Sequence, residues 1–189
     1  MSWTAVVPLK TRSERKSRLA ELLSIEARAK LSIRMFGHVL GVLENVAAVD
    51  RIIVLADERP AAWGGDWILD CGRGLNTELM TIRKTLLGNM IVLHADLPLL
   101  TGEDVIALID AANVHQLAIA PDRHGTGTNG LALSGICFSF AFGADSFRLH
   151  RKQLPSCAII QRKGLGLDVD TPNDLKMTTE ELDMGYLSS

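Results

Sequence analysis

The sequence predicts an α/β chain built on a doubly wound, mainly parallel sheet. Three observations predict it. Short apolar runs rich in Val and Ile, such as Trp3 to Leu9, Arg51 to Ala56 and Asn89 to Leu93, recur at strand length. Segments of helical periodicity lie between them, so helices cross from strand to strand and cover both faces. Acids and glycine-rich turns follow the strands directly, at the edge of an open α/β sheet where ligands sit.

Composition narrows the class. The 189 residues, 47% of them hydrophobic, suit one domain spanning residues 1–189 with a core of ordinary proportions. A net charge of −2 offers no basic excess for nucleic acid or an anionic membrane. The opening Met1 to Pro8 lacks a cationic stretch and its apolar run is too short for a signal peptide, and no run reaches membrane-spanning length. The expected location is the cytoplasm. Cys71, Cys137 and Cys157 are widely spaced without a C-x-x-C pair, which argues against a disulfide framework or zinc knuckle and for reduced thiols in the core.

Trp3 to Leu9 reads as a first, central strand. The segment Lys10 to Leu19 follows with five basic residues against one acid, which suits an anion-receiving loop or a solvated charge run. Ser24 can cap a helix to Leu43 whose Phe36, Val39, Leu40 and Leu43 form a core stripe. Arg51 to Ala56 and Trp67 to Asp70 are the next strands. Cys71-Gly72-Arg73-Gly74-Leu75-Asn76 then turns into a helix from about Thr77 to Leu87, its glycines serving either close ligand approach or the turn alone.

Asn89 to Leu93 is a buried strand that delivers His94-Ala95-Asp96-Leu97-Pro98 to its carboxyl end. Pro98 ends the ladder, and Asp96 is left where it can hold a metal over phosphates or cap a turn. Thr101 and Asp104 form a capping box for a helix to about Ala112. Gln116 to Ala120 is a strand, and Pro121 to Gly130 is a loop whose donors suit an oxyanion or carboxylate, or a flexible hairpin.

Leu131 to Ser134 returns as a strand, and Phe138 to Phe142 is an aromatic patch. Gly143 to His150 reads as a helix start whose free N–H groups could bind an anion at Gly143 and Ser146. Cys157 to Ile160 is a last strand. Asp168 and Asp170, two apart in an extended segment, face one way and repel unless a cation lies between them. Thr171, Pro172 and Asp174 begin the final helix, with Asp174 in its capping box. Three carboxylates and a basic loop on one edge imply Mg²⁺ with a nucleoside triphosphate.

A series of motifs carries a family resemblance over nearly the whole chain. They are Pro8-x-Lys10 with Lys16-Ser17-Arg18-Leu19, Gly74-Leu75-Asn76, Ala95-Asp96-Leu97-Pro98, Pro121-Asp122-Arg123-x-Gly125-Thr126-Gly127-Thr128-Asn129, Phe142-Gly143-x-x-Ser146-Phe147-x-x-His150 and Leu167-Asp168-Val169-Asp170-Thr171-Pro172. In that order the chain resembles the 2-phospho-L-lactate guanylyltransferase family. The resemblance implies a Rossmann-like sheet of the nucleotide-diphospho-sugar-transferase type and a role in deazaflavin coenzyme biosynthesis. GTP is then the donor, and the acceptor a small phosphorylated carboxylic acid: 2-phospho-L-lactate, phosphoenolpyruvate or 3-phosphoglycerate.

Carried over by position, Lys10, Lys16 and Asp96 are the catalytic candidates, with the lysines on the triphosphate. Asp96, Asp168 and Asp170 are the candidate Mg²⁺ ligands. Ser17, Gly74, Asn76, Thr128, Gly143 and Ser146 are candidate substrate contacts, of which Thr128, Gly143 and Ser146 match the acceptor positions. Gly130 stands where the pattern leads one to expect alanine, and His94 and Cys71 fall outside it.

No base is needed, because a phosphate monoester with a second pKa of about 6 is already mostly a dianion at neutral pH. His94, His124 and His150 are therefore expected to pack or hydrogen-bond. The expected partners are the two substrates and, as an assembly, a homodimer. Two alternatives stand beside this reading. One is another small nucleotidyltransferase of the same fold, of the molybdenum-cofactor or sugar-phosphate type, which would carry a G-G-x-S/G first loop in place of Pro8-Leu9-Lys10-Thr11. The other is a non-catalytic nucleotide-binding regulator, which would have lost an acid.

Overall fold

Apolar strand runs and amphipathic helices assemble as their periodicities require. The computed structural model describes residues 2–9, 16–61, 63–86 and 88–182. In chain order it holds β1 (Trp3–Leu9), a short 3₁₀ turn (Ser17–Leu19), α1 (Ile25–Glu44), β2 (Val49–Ala56), β3 (Asp66–Leu69), α2 (Leu75–Thr85) and β4 (Asn89–Leu93). It continues with α3 (Gly102–His115), β5 (Leu117–Pro121), β6 (Thr128–Leu133), α4 (Ser146–Gln153), β7 (Ala158–Ile159), α5 (Lys163–Gly166) and α6 (Pro172–Leu182).

The strands form one sheet in the order β3-β2-β1-β4-β6-β5-β7. β6 runs antiparallel to both its neighbours, and the other pairs are parallel. That reversal follows from the short 122–127 connection, which is long enough for a hairpin and too short for a crossover. Strand side chains alternate between two cores. Val7, Val54, Ile91 and Ala132 meet α1 and α3 on one face, and Val6, Ile53, Val92 and Leu131 meet α2 and the Phe138–Phe140 segment on the other. Both faces are covered, as double winding requires.

Chain order from β1 runs outward through β2 to β3, then jumps back to place β4 on β1's other side. The β1/β4 boundary is therefore the topological switch point. Pro8 sits in this central strand because the β1–β4 ladder covers only Trp3 to Val6, while Pro8 is opposite Leu55 of β2. Beyond Val6 the β1–β4 ladder ends, short of the carboxyl ends of the two strands.

The caps match the sequence expectation. The Ser24 side chain accepts from the Ala27 N–H, and Thr101 and Asp104 form a reciprocal box at α3. At α6 the Asp174 carboxylate accepts from the N–H groups of Asp170 and Thr171 and from the Thr171 hydroxyl. Some boundaries differ. α2 starts two residues early, behind Gly74 at φ 91, and β6 begins at Thr128. α4 starts at Ser146, after Asp145 in the left-handed region.

The expectation of core thiols is corrected: Cys71 and Cys137 are exposed and Cys157 is half-buried. Cys71 lies in the turn after β3, and Cys137 in the irregular segment after β6. No helix among the described residues is long and apolar enough to cross a membrane.

Asp174→Ala should lower the unfolding free energy by about 1–2 kcal/mol, since it removes a buried cap and the carboxylate that Arg123 pairs with at 2.5 Å. Denaturant melts of the variant and the parent chain measure the difference, and equal midpoints would contradict the capping role.

Candidate active site

Two chain segments meet across the switch point, one after β1 and one after β4. Lys16, in a left-handed conformation at φ 55, leads into the Ser17–Leu19 turn, and Leu19 is fully buried. Leu19 packs with Val169, Leu31, Met35 and Leu175 in a small third core. Val169 lies between Asp168 and Asp170, and its N–H donates to the Asp96 carbonyl at 3.3 Å. Burying Leu19 and Val169 in one cluster thus carries Lys16, Asp96 and Asp170 to the same point.

There the Lys16 Nζ donates to Asp96 Oδ2 at 2.5 Å and to Asp170 Oδ1 at 2.9 Å. Burial alone would push the lysine pKa down, but Asp96 and then Asp170 outweigh it and hold the ammonium above its ordinary range. Burial would likewise push Asp96 up, yet Lys16 and then His94 keep it below the usual carboxylate value. Asp168 behaves differently. Burial and the neighbouring Asp96 charge raise it, against a hydrogen bond from Asn129.

The oxygens of these carboxylates are of the kind a hard divalent cation takes. With all three ionised, Asp96, Asp168 and Asp170 contribute −3 and Lys16 +1, an excess of −2. Asp96 Oδ1 is buried without a hydrogen-bond partner, a lone pair directed at no protein donor. All-oxygen ligation is the preference of Mg²⁺. As folded, the ammonium rather than a set of acids holds the centre: among the described residues no three His, Cys, Asp or Glu side chains are gathered for one ion.

A register shift aims the neighbouring strand. Ala120 of β5 pairs with Gly130 of β6 and Pro121 with Thr128, so Asn129 is the extra residue of a bulge. Strict alternation would put Asn129 on the face of Leu131 and Leu133. Instead its Nδ2 reaches the Leu165 and Gly166 carbonyls and Asp168 Oδ1 at 3.1 Å, on the α1/α3 side. Thr128 turns to the opposite side, where its hydroxyl meets His150 Nδ1 at 3.0 Å. Re-aiming side chains beside a site is a recurrent use of bulges.

The loop before β6 differs from the sequence expectation in one respect. Two of its backbone donors are taken by its own acid: Asp122 accepts from the Thr126 N–H at 2.9 Å and the Gly127 N–H at 2.9 Å. A Cβ at Gly127 would lie 2.7 Å from that carboxylate, so a larger residue there would make the Asp122 side chain shift. The start of α4 is corrected as well. The Ser146 N–H donates to the Gly143 carbonyl and the Phe147 N–H to Thr126, so these first helix donors are not free for an anion. The Ser146 side chain, 2% exposed, remains beside Gly143 at φ 127.

Asn76 is committed to the protein. Its Nδ2 donates to the Phe142 carbonyl and its Oδ1 accepts from the Phe142 N–H, which ties the start of α2 to the residue before Gly143. Gly74 caps α2 without a side-chain bond. Lys10 and the side chain of Ser17 lie outside the described residues. Asn129 and Asp122 join the site residues without having been candidates by position; an amide and an acid flanking a Gly-Thr-Gly-Thr turn are the signal that marks them. His94 packs against Phe142 with ring centroids 5.7 Å apart.

His150 is fully buried against Phe138 and Phe142. Burial pushes its pKa down from 6.5 to about 4. The unfolded chain therefore takes up a proton near pH 6.5 that the folded chain refuses until about pH 4. Stability from this group is complete above pH 6.5 and falls with pH, by about 3 kcal/mol at pH 4 and below. Unfolding free energies measured from pH 7.5 to 4 should fall less steeply for His150→Gln than for the parent, and parallel curves would contradict the neutral buried imidazole.

Comparison with known proteins agrees with this architecture. The family model described as guanylyl transferase CofC like matches residues 3–180. A phosphoenolpyruvate guanylyltransferase of Sphaerobacter thermophilus is 36% identical over 190 residues, covering 93% of this chain and 92% of that protein. A protein of the same name from Chloroflexus aggregans is 37% identical over 158 residues, 76% of this chain and 78% of its own. The crystal structure of a nucleotide-diphospho-sugar transferase, so described as putative, from Desulfovibrio desulfuricans superposes with a TM-score of 0.70 at 17% identity, over 98% of this chain and 90% of that one, a likeness of fold. With the family model spanning both the Lys16–Asp96 ion pair and the Asp168–Asp170 pair, the chain belongs to the CofC-like guanylyl transferases, a family of nucleotidyltransferase enzymes.

Proposed function

We propose that this enzyme transfers GMP from GTP to phosphoenolpyruvate and releases pyrophosphate. The observation that carries the reading is the excess of carboxylate over ammonium at the switch point, where Asp96 keeps a buried oxygen without a protein partner. The two relatives at 36% and 37% identity, both named phosphoenolpyruvate guanylyltransferase, support the choice of acceptor.

In the reaction an oxygen of the acceptor phosphate attacks the α-phosphorus of GTP. The new P–O bond forms as the bond from that phosphorus to the oxygen bridging it to the β-phosphorus breaks, and pyrophosphate leaves with that oxygen. No proton has to be removed from the nucleophile. The difficulty is electrostatic, since unit charges at 4 Å repel by about 4 kcal/mol at an effective dielectric of 20. Lys16 supplies a cation on the donor side, free to serve the triphosphate when it leaves the carboxylates. Asp96, Asp168 and Asp170 would hold Mg²⁺, which when bound neutralises charge developing on the phosphates. On the acceptor side Thr128, Gly143 and Ser146 offer neutral donors and an open backbone for a small anion.

Pyrophosphate release should require a divalent cation, and GTP should exceed ATP. Phosphoenolpyruvate should exceed 2-phospho-L-lactate and 3-phosphoglycerate in kcat/KM. No release with GTP and any of the three acids would end the proposal, and a preference for another acid would reassign the acceptor. Asp96→Asn preserves size but removes a charge, so turnover should fall by at least about 100-fold with the fold retained, the scale set by loss of one electrostatic stabiliser. Near-parental turnover in that variant would remove Asp96 from the metal role.

A further inference from the structure

The irregular segment after β6 is fastened to α4 through one ring. The Ala141 N–H donates to His150 Nε2 at 2.9 Å. A backbone N–H can only donate, so Nε2 carries a lone pair. In a neutral imidazole the proton then resides on Nδ1, which faces the Thr128 Oγ1 at 3.0 Å. The ring is fully buried, and a second proton on it would face the Ala141 N–H head-on.

A threonine hydroxyl has one proton and two lone pairs. One that accepts from Nδ1–H keeps its own proton for another partner. If the tautomer were reversed, Thr128 would donate to the ring and turn lone pairs outward, which an anion repels. The bulge at Asn129 sends Asn129 to Asp168 and Thr128 to His150, so Thr128 stands next to the residue that bonds to Asp168. Ser146 and His150 are four apart on α4 and both buried, so they share the helix face from which His150 meets Thr128.

We infer that His150 is a positioning residue: by accepting from Ala141 and donating to Thr128 it fixes the Thr128 hydroxyl as a hydrogen-bond donor to the anionic acceptor substrate. This rests on the proposed reaction only for the identity of the anion. The imidazole does not touch substrate, exchanges no proton in the reaction and acts through Thr128 alone.

Two measurements test it. Long-range ¹H–¹⁵N spectra of the ¹⁵N-labelled protein, with His150 assigned by its loss in His150→Gln and His150→Asn, should show a protonated Nδ1 and bare Nε2 from pH 5 to 8. A protonated Nε2, or a ring titrating near 6.5, overturns the inference. In steady-state kinetics, Thr128→Val should raise the KM for phosphoenolpyruvate about 10- to 100-fold, the scale of one hydrogen bond to a charged group, with the GTP KM unchanged.

His150→Gln keeps an acceptor for Ala141 but loses the Nδ1 donor, and should produce a similar rise. His150→Asn places an amide N–H near the Nδ1 position and should recover most of it. Adding His150→Gln to Thr128→Val should then change the acceptor KM by less than about twofold, because the hydroxyl that it orients is gone. Multiplying losses in the double variant, as a merely structural role would give, overturn the inference. So does an unchanged acceptor KM in Thr128→Val, which leaves the proposed reaction standing. Absence of turnover with all three acids in the parent enzyme instead defeats the proposed reaction, while the tautomer spectrum still decides whether the ring is set as inferred.

Discussion

A buried ammonium shared by two carboxylates is the constraint around which this molecule is arranged. Lys16 is 80 residues from Asp96 and 154 from Asp170, and it bonds to both with its side chain 8% exposed. Removing such charges from water costs several kcal/mol per ion, which mutual attraction offsets only when geometry is good. An apolar trio of similar volume would meet no such cost. The arrangement therefore reads less as a stabilising device than as a place where, on the proposed function, a divalent cation would take over from the protein's own. Leu19 beneath Lys16 and Val169 between the acids bury the apolar surface that holds the charged groups together.

The second constraint is the one-residue bulge between β5 and β6. Pro121 has no N–H to donate, and the register shifts between Ala120 and Pro121. With the shift, adjacent residues leave the strand on opposite sides: Asn129 toward Asp168, Thr128 toward His150. An unbroken ladder could not send them so, because its alternation would return Asn129 to the face of Leu131. The antiparallel direction of β6 matters equally. It puts the start of that strand at the carboxyl ends of β1 and β4, where Lys16 and Asp96 stand.

What the sequence discloses and what it hides divide along a physical line. Strands, helices and caps depend on neighbours within a few residues, so Thr101 with Asp104 and Thr171 with Asp174 are readable from spacing alone. The acid positions after β4 and before α6 are readable too, as charges placed where packing gives no reason for them. Pairings across the fold are not. Nothing local says that Asn76 spends its amide on Phe142, that Asp122 occupies the Thr126 and Gly127 donors, or that the first N–H groups of α4 are used internally. Exposure of Cys71 and Cys137 escaped for a related reason: cysteine is usually buried, and only the tertiary path of their segments leaves them outside.

Asp96, Asp168 and Asp170 are bonded by different kinds of donor, and the difference bears on how a cation could enter. Asn129 holds Asp168 with a neutral amide, which orients the carboxylate while leaving its charge uncompensated, and the carboxyl is correspondingly raised by burial and by Asp96. Lys16 neutralises as well as orients, and the oxygens it occupies on Asp96 and Asp170 are ones a divalent ion would compete for. An ion binding there can leave the Asn129 bond intact and use Asp96 Oδ1, which has no protein partner, while it competes with the ammonium for the oxygens that Lys16 occupies. A triphosphate arriving with the ion offers that ammonium a new set of oxygens at the same sheet edge. On the proposed function, metal and nucleotide binding would then favour each other through an exchange of charge partners at Lys16.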